Sequence, residues 1–254
     1  MTLAAWLVAL GLGLAIHASA SAAGAPEACP QLRRVGSVPA EAMPEPRMEP
    51  NWQERMATLS RLPATAFGAA KLVFLGDSLV QSWAPPIFAN FYGTRQALNL
   101  GGSGDYTQSL LWRLERLPPG ASLHPALFVL LVGTNNTGAG SQPEDTAFAI
   151  AEVVRRLRRM SPQSRVLLVG LLPRGATAAE PMRAVNQRVN ALLATCADDR
   201  TIFFADPGVM LADGEGRLGA EISYDQLHLT WLGYAILSAG LEPTMRRALG
   251  AAAP

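Results

Sequence analysis

Apolar and polar positions run along this chain in two rhythms. Five short stretches are almost continuously apolar: Lys71 to Gly76, Ala97 to Gly101, Ala126 to Gly133, Arg165 to Leu172 and Thr201 to Ala205. Runs of this length, bounded by turn residues, predict strands buried on both faces. Between or after them the period lengthens, and Asn51 to Leu62, Leu79 to Phe91, Thr107 to Leu117, Pro143 to Met160, Ala178 to Ala197 and Thr230 to Leu249 read as helices. In the first of these, Trp52, Met56 and Leu59 fall at spacings of four and three, which places them on one face. Strands alternating with helices imply parallel pairing, right-handed crossovers and helices on both sides of the sheet. The expected fold class is α/β: a three-layer α/β/α sandwich on a five-stranded parallel sheet in flavodoxin-like order 2-1-3-4-5.

Two stretches carry neither rhythm. From Met1 to Pro26 there is no charged side chain, and apolar Leu3 to Ile16 gives way to small residues up to Ala25. This is the layout of a secretory signal peptide over residues 1–25 with an A-x-A-type cleavage site near Ala20. Its n-region lacks Lys and Arg, which leaves an uncleaved anchor as the alternative, although so short an apolar run spans a bilayer poorly. A secreted or periplasmic protein follows, without stable membrane insertion once the signal is removed. Residues 26–50 carry Pro30, Pro39, Pro44, Pro46 and Pro50 among polar residues, a composition that resists helix and predicts an extended lead-in to a folded unit over 51–250. Export would permit Cys29 and Cys196 to pair and tie the lead-in to the helix carrying Cys196; a small buried thiol is the other reading.

With 254 residues, 49% of them hydrophobic and 16% charged, the chain can build one core. A formal net charge of +1 provides no field for steering a polyanion, and neither a Lys/Arg run nor zinc-ligand spacing occurs. Nucleic acid, a metal and a cofactor are not expected. Monomer and homodimer stay equally open.

The candidate chemistry begins where the first apolar run ends, at Gly76-Asp77-Ser78-Leu79. A serine at a strand-to-helix junction meets unpaired backbone N–H groups and the positive end of the helix dipole. Helix capping is the plainer role for Asp77-Ser78. A serine hydroxyl attacks an ester only with a base beside it, and the chain has three histidines. His17 lies in the N-terminal apolar segment, and His124 comes just before a strand, away from the carboxyl ends where sites of parallel sheets gather. His228 remains. Asp225 precedes it by three positions, close enough to accept from the imidazole Nδ1–H and leave Nε2 facing Ser78. Asp105, Asp206 and Asp213 compete for that place, but Asp105 is better suited to brace a glycine loop and Asp206 ends a strand.

Two further segments follow predicted strand ends. Asn99-Leu-Gly-Gly-Ser-Gly104-Asp105 has glycines that let backbone N–H groups approach a ligand closely, and is otherwise a flexible turn. It lacks the G-x-G-x-x-G of a dinucleotide loop. Gly133-Thr-Asn135-Asn136 offers a side-chain amide to a developing oxyanion, worth about 3 kcal/mol in other serine hydrolases, or simply turns the chain.

In this order, Gly-Asp-Ser-Leu, the Gly104-Asp105 loop, Gly-Thr-Asn-Asn and Asp225-x-x-His228 resemble the four blocks of the GDSL, or SGNH, hydrolases. The resemblance implies Ser78 as nucleophile, Asp225 and His228 completing a triad, and an oxyanion hole from the Ser78 and Gly104 amides and the Asn135 side chain. Within that family the chain is similar to the catalytic subunits of platelet-activating-factor acetylhydrolase Ib. The likeness runs through Phe74-Leu-Gly-Asp-Ser-Leu-Val-Gln81, Leu110-Leu-Trp-Arg-Leu-Glu115, Gly170-Leu-Leu-Pro-Arg-Gly175 and Tyr224-Asp-Gln-Leu-His-Leu229. It implies an esterase for short, acetyl-type acyl groups on a small-molecule, lipid or carbohydrate ester; a carbohydrate O-acetylesterase or an acyltransferase using the same residues is the alternative, and a non-catalytic ligand-binding protein, which would be expected to lose Ser78, Asn135 or His228, is the least favoured. The Gly-x-Ser-x-Gly elbow of the α/β-hydrolases is absent.

Overall fold

Leu72, Val73, Phe74 and Leu75 are essentially without exposure, so the first strand must be covered on both faces. In the computed structural model, which describes residues 28–250, that strand, β1 (Leu72–Gly76), is central. β2 (Ala97–Asn99) pairs on one side of it, and β3 (Leu127–Leu131), β4 (Arg165–Val169) and β5 (Ile202–Ala205) extend the other. All pairings are parallel and the order is β2-β1-β3-β4-β5, with Leu72 beside Leu127 and Gly76 beside Leu131. The expected architecture and strand order are those observed. The expected signal peptide and His17 lie outside the described residues.

Side chains alternate between two cores. Val73, Leu75, Phe128, Leu130, Val166 and Leu168 face one cluster and Leu72, Phe74, Leu127, Val129, Leu167 and Val169 the other. In chain order the helices are α1 (Pro50–Ser60), α2 (Ala64–Ala69), α3 (Ser78–Gln81), α4 (Pro85–Tyr92), α5 (Thr107–Leu114), α6 (Thr134–Gly138), α7 (Pro143–Met160), α8 (Pro181–Ala194) and α9 (Trp231–Leu249). The first cluster takes in Leu110, Leu111 and Leu114 of α5, Val153, Val154 and Leu157 of α7, and Val189 and Leu193 of α8. α3, α4 and α9 supply the second, where Trp83, Phe88 and Tyr92 stand 5.3, 5.0 and 4.7 Å from Phe74, ring centre to ring centre.

Three of the expected helices differ from the expectation by more than two residues at an end or are interrupted. The one expected from Leu79 to Phe91 is broken into α3 and α4, because Pro85 and Pro86 have no N–H with which to continue a helix but suit its first turn. The one expected to reach Leu117 ends at Leu114, ahead of Pro118. The one expected from Ala178 begins at Pro181.

The proline-rich lead-in is fastened to the domain along its length. Cys29 and Cys196 are disulfide-bonded, with Cys196 just beyond α8. Arg155 of α7 donates to the Ala28, Cys29 and Leu32 carbonyls at 3.1, 2.9 and 3.0 Å, Arg34 pairs with Asp145, and Thr107 Oγ1 donates to the Glu41 carbonyl at 2.7 Å. Single turns of 3-10 helix at Pro30–Leu32 and Ala40–Ala42 shape the path.

Candidate active site

Four segments that follow strand ends meet on one rim of the sheet. Gly76 ends β1 with φ of 158°, and a Cβ there would stand 1.9 Å from the Leu131 carbonyl oxygen, so only glycine lets β1 and β3 approach this closely before the chain turns. Asp77 then caps α3, its Oδ1 accepting from the Leu79 N–H at 2.9 Å. That leaves Ser78 as the first helical residue, with an N–H that has no acceptor inside the helix.

His228 Nε2 lies 2.9 Å from Ser78 Oγ, across 150 positions of sequence, and His228 Nδ1 lies 2.6 Å from Asp225 Oδ2. The other Asp225 oxygen accepts from the backbone N–H groups of Leu227 and His228 at 3.1 and 2.6 Å. Partial burial pulls the Asp225 carboxyl upward, but these hydrogen bonds outweigh it and hold the group below the ordinary carboxylate range. An ionised carboxylate can only accept, so Nδ1 carries the proton and Nε2 is free to accept from the Ser78 hydroxyl.

The segment carrying Asp225 and His228 is a short, self-bracing loop. Ser223 and Leu229 form an isolated antiparallel bridge, Ser223 Oγ donates to the His228 carbonyl at 2.7 Å, and Gln226, with φ of 65°, turns its carbonyl to the Gly175 N–H at 2.8 Å. The largely exposed Tyr224 ring stacks on the imidazole, centroids 6.0 Å apart and planes within 13°. Nothing in residue type or spacing marks Tyr224 for that contact; the bridge across the loop creates it.

Asn135 sits in α6 at the end of β3 and donates through Nδ2 to the Asp105 carbonyl at 2.8 Å, which leaves its second amide hydrogen for another acceptor. Its neighbour Asn136 is buried and spent on structure, accepting from the Thr107 N–H and donating to Thr107 Oγ1 and Gln108 Oε1. Gly104 has φ of 80° and is joined to the Ser78 end of the site through Ser103 N–H to Gln81 Oε1 at 2.6 Å and Gly102 N–H to the Gly76 carbonyl at 2.8 Å. The structure thus brings Ser78, Asp225 and His228 into one chain of hydrogen bonds and ties Asn135 to the Gly104 loop.

The competing carboxylates are occupied elsewhere. Asp105 is fully buried and accepts from Arg113 Nε at 2.7 Å, Trp52 Nε1 at 2.7 Å and Ser109 Oγ at 3.0 Å. Asp206 accepts from Asn190 Nδ2, and Asp213 closes a turn with Arg217. His124 contacts Ser161, and its chain position is at the amino-terminal side of β3. Among the described residues no His, Cys, Asp and Glu side chains gather as a metal site would require, and no helix is long and apolar enough to cross a membrane.

Residues 67–236 match the model of the GDSL-like lipase/acylhydrolase family. The chain belongs to that family. It is accordingly a carboxylic ester hydrolase, and the four segments on the rim lie within the matched residues. Among curated relatives, the platelet-activating factor acetylhydrolase IB subunit alpha1 of Pongo abelii is 40% identical over 185 residues, covering 70% of this chain and 77% of that protein. Two solved structures share the fold. A GDSL-like lipase from Bacteroides thetaiotaomicron superposes with a TM-score of 0.60 at 24% identity over 78% of this chain and 98% of that one. An acetylxylan esterase from Geobacillus stearothermophilus gives 0.55 at 14% identity over 70% and 94%.

Proposed function

We propose that this GDSL acylhydrolase is a serine esterase that cleaves short, acetyl-type esters through an acyl-enzyme on Ser78. The 2.9 Å contact between His228 Nε2 and Ser78 Oγ, with Asp225 behind the imidazole, carries the reading. Nε2 takes the hydroxyl proton as Oγ bonds to the ester carbonyl carbon. The electron pair displaced onto the carbonyl oxygen is met by the N–H groups of Ser78 and Gly104 and by the Asn135 amide. When that pair returns, the bond to the alcohol breaks and the imidazolium protonates the departing oxygen. Water, deprotonated by the same imidazole, then attacks the acyl carbon and releases the acid, restoring Ser78.

Acetyl specificity is supported by the acetylhydrolase relatives. The apolar, uncharged stretch before Pro26 and the Cys29 to Cys196 disulfide support export to an oxidising space. Ser78→Ala is expected to reduce hydrolysis of p-nitrophenyl acetate to background and to abolish labelling by a fluorophosphonate, with an unchanged far-UV circular dichroism spectrum. Retained turnover would remove Ser78 from this role. Rates on p-nitrophenyl esters of increasing chain length are expected to fall beyond the shortest acids, and a maximum at long chains would overturn the acetyl assignment.

A further inference from the structure

The loop from Gly101 to Asp105 is tied down at nearly every polar group of its backbone. Arg55 Nε donates to the Gly101 carbonyl at 2.9 Å, the Gly101 N–H to Asn99 Oδ1 at 2.9 Å and the Gly102 N–H to the Gly76 carbonyl at 2.8 Å. The Ser103 N–H reaches Gln81 Oε1 at 2.6 Å, the Asp105 N–H the Gly102 carbonyl at 2.9 Å, and the Asp105 carbonyl accepts from Asn135 at 2.8 Å. Against this background the Gly104 N–H has no acceptor among the described residues, as suits a donor kept for a reacting oxygen.

Gly104 stands at φ of 80°, in the left-handed region, where a residue without a Cβ meets little resistance to turning its peptide. One group holds its other side. Arg47 Nη1 donates to the Gly104 carbonyl from the lead-in, outside the sheet and its covering helices. The guanidinium is itself held: Nε donates to Glu49 Oε2 at 3.0 Å, Nη2 donates to Glu49 Oε1, and the Tyr106 ring lies beneath it, 4.7 Å from ring centre to Cζ. A planar cation fixed by a carboxylate fork and an aromatic face is a rigid donor.

We propose that Arg47 is a positioning residue for ester cleavage, holding the Gly104 carbonyl so that the Gly104 N–H keeps its aim on the developing oxyanion. The inference rests on the proposed oxyanion role of Gly104 and adds to it a residue from a segment whose composition announces only a linker. Its consequence is specific. Losing Arg47 leaves the donor in place but free to swing, so the cost falls on the transition state rather than on ester binding.

Steady-state kinetics on p-nitrophenyl acetate test this with the whole chain as wild type, Arg47→Ala, Arg47→Lys, Glu49→Gln and Ser78→Ala. A deleted oxyanion donor costs about 10²- to 10³-fold in kcat, and a misaimed one is expected to cost about 10- to 100-fold. Arg47→Ala should show that loss with KM within about threefold of wild type and an unmoved pH profile, because the imidazole pair is untouched. Arg47→Lys should recover part of it, since an ammonium can still donate to the Gly104 carbonyl but cannot hold the Glu49 fork. Glu49→Gln, which loosens the guanidinium while leaving it in place, should lie between wild type and Arg47→Ala. Full kcat in Arg47→Ala, a loss confined to KM, or Arg47→Lys no better than Arg47→Ala would overturn the proposal. Should circular dichroism show Arg47→Ala unfolded, wild-type kcat in both Arg47→Lys and Glu49→Gln would overturn it equally. Failure of the underlying reading has a different signature: turnover in the wild type that is absent, or that survives Ser78→Ala.

Discussion

Asp77 and Asp225 belong to the two segments that meet at Ser78 and His228, yet their surroundings drive their carboxyls in opposite directions. Asp225 is held ionised by its hydrogen bonds, whereas burial pushes Asp77 up to about 7 against one backbone N–H from Leu79. Folding therefore favours the protonated form of Asp77. The stability that proton uptake contributes is complete below the unfolded value of 3.8 and is lost as pH rises through about 7. Asp77→Asn keeps an acceptor for the helix cap and removes the ionisation, so its stability relative to wild type should rise between pH 4 and pH 8 by up to about 4 kcal/mol. Urea unfolding of both proteins at several pH values measures this, and a constant difference would mean that Asp77 is charged throughout. For Asp225→Asn the expected loss is kinetic: the Nδ1 proton is no longer demanded, the wrong tautomer is admitted, and kcat for p-nitrophenyl acetate should fall by about 10³- to 10⁴-fold. Ser78 and His228 are legible in the sequence because so few residues can do their chemistry and the other two histidines sit in unsuitable places. Arg47, Trp52 and Arg113 are not legible, since their partners are a carbonyl or a carboxylate that only the fold brings near.

At the scale of elements, the strands announce themselves because each is buried on both faces and so reads as an unbroken apolar run, with β2 the shortest and only half-buried. The short helices α2 and α6, six and five residues long, give periodicity no room to show. The lead-in is opaque for a different reason. Most of its anchors are the carbonyls of Ala28, Cys29, Leu32 and Glu41, which any sequence would present; Arg34 and Arg47 add charged contacts whose partners only the fold brings near, and only the cysteine pair hints at attachment. That pair closes a sequence separation of 167 residues, and a loop of this size restricts the unfolded chain enough to contribute about 2–5 kcal/mol. Cys29→Ser with Cys196→Ser, or reduction of the wild type, should lower the thermal midpoint by roughly 5–20 °C. Equal midpoints in oxidised and reduced protein would show that the hydrogen bonds from Arg155 and Thr107 fasten the segment by themselves.

For the whole molecule, the decisive feature is that the two cores share their strands. Val73 and Leu75 enter one cluster while Leu72 and Phe74 of the same strand enter the other, and β3 and β4 divide in the same way. Neither core can melt without taking from the other the backbone that supports it, so the two should unfold as one unit despite the chain's size. Tryptophans report on both sides: Trp83 packs in the second cluster against Tyr234, while Trp52 and Trp112 touch each other beside the Asp105 network, centroids 5.8 Å apart. Variants keeping Trp83 alone or Trp112 alone among these three should show coincident fluorescence midpoints that match the far-UV transition. Hydrogen exchange offers the same test residue by residue. Amides of Val73 to Leu75, Phe128 to Leu130 and Val166 to Leu168 should exchange only through global unfolding, ahead of which β2 and the exposed turn around Val209 and Met210 open locally. Two separated transitions, or central strands that exchange at different limiting rates, would mean that the faces are independent. The rim carrying Ser78 on α3 and Asn135 on α6 would then lose its geometry while half the sandwich still stood.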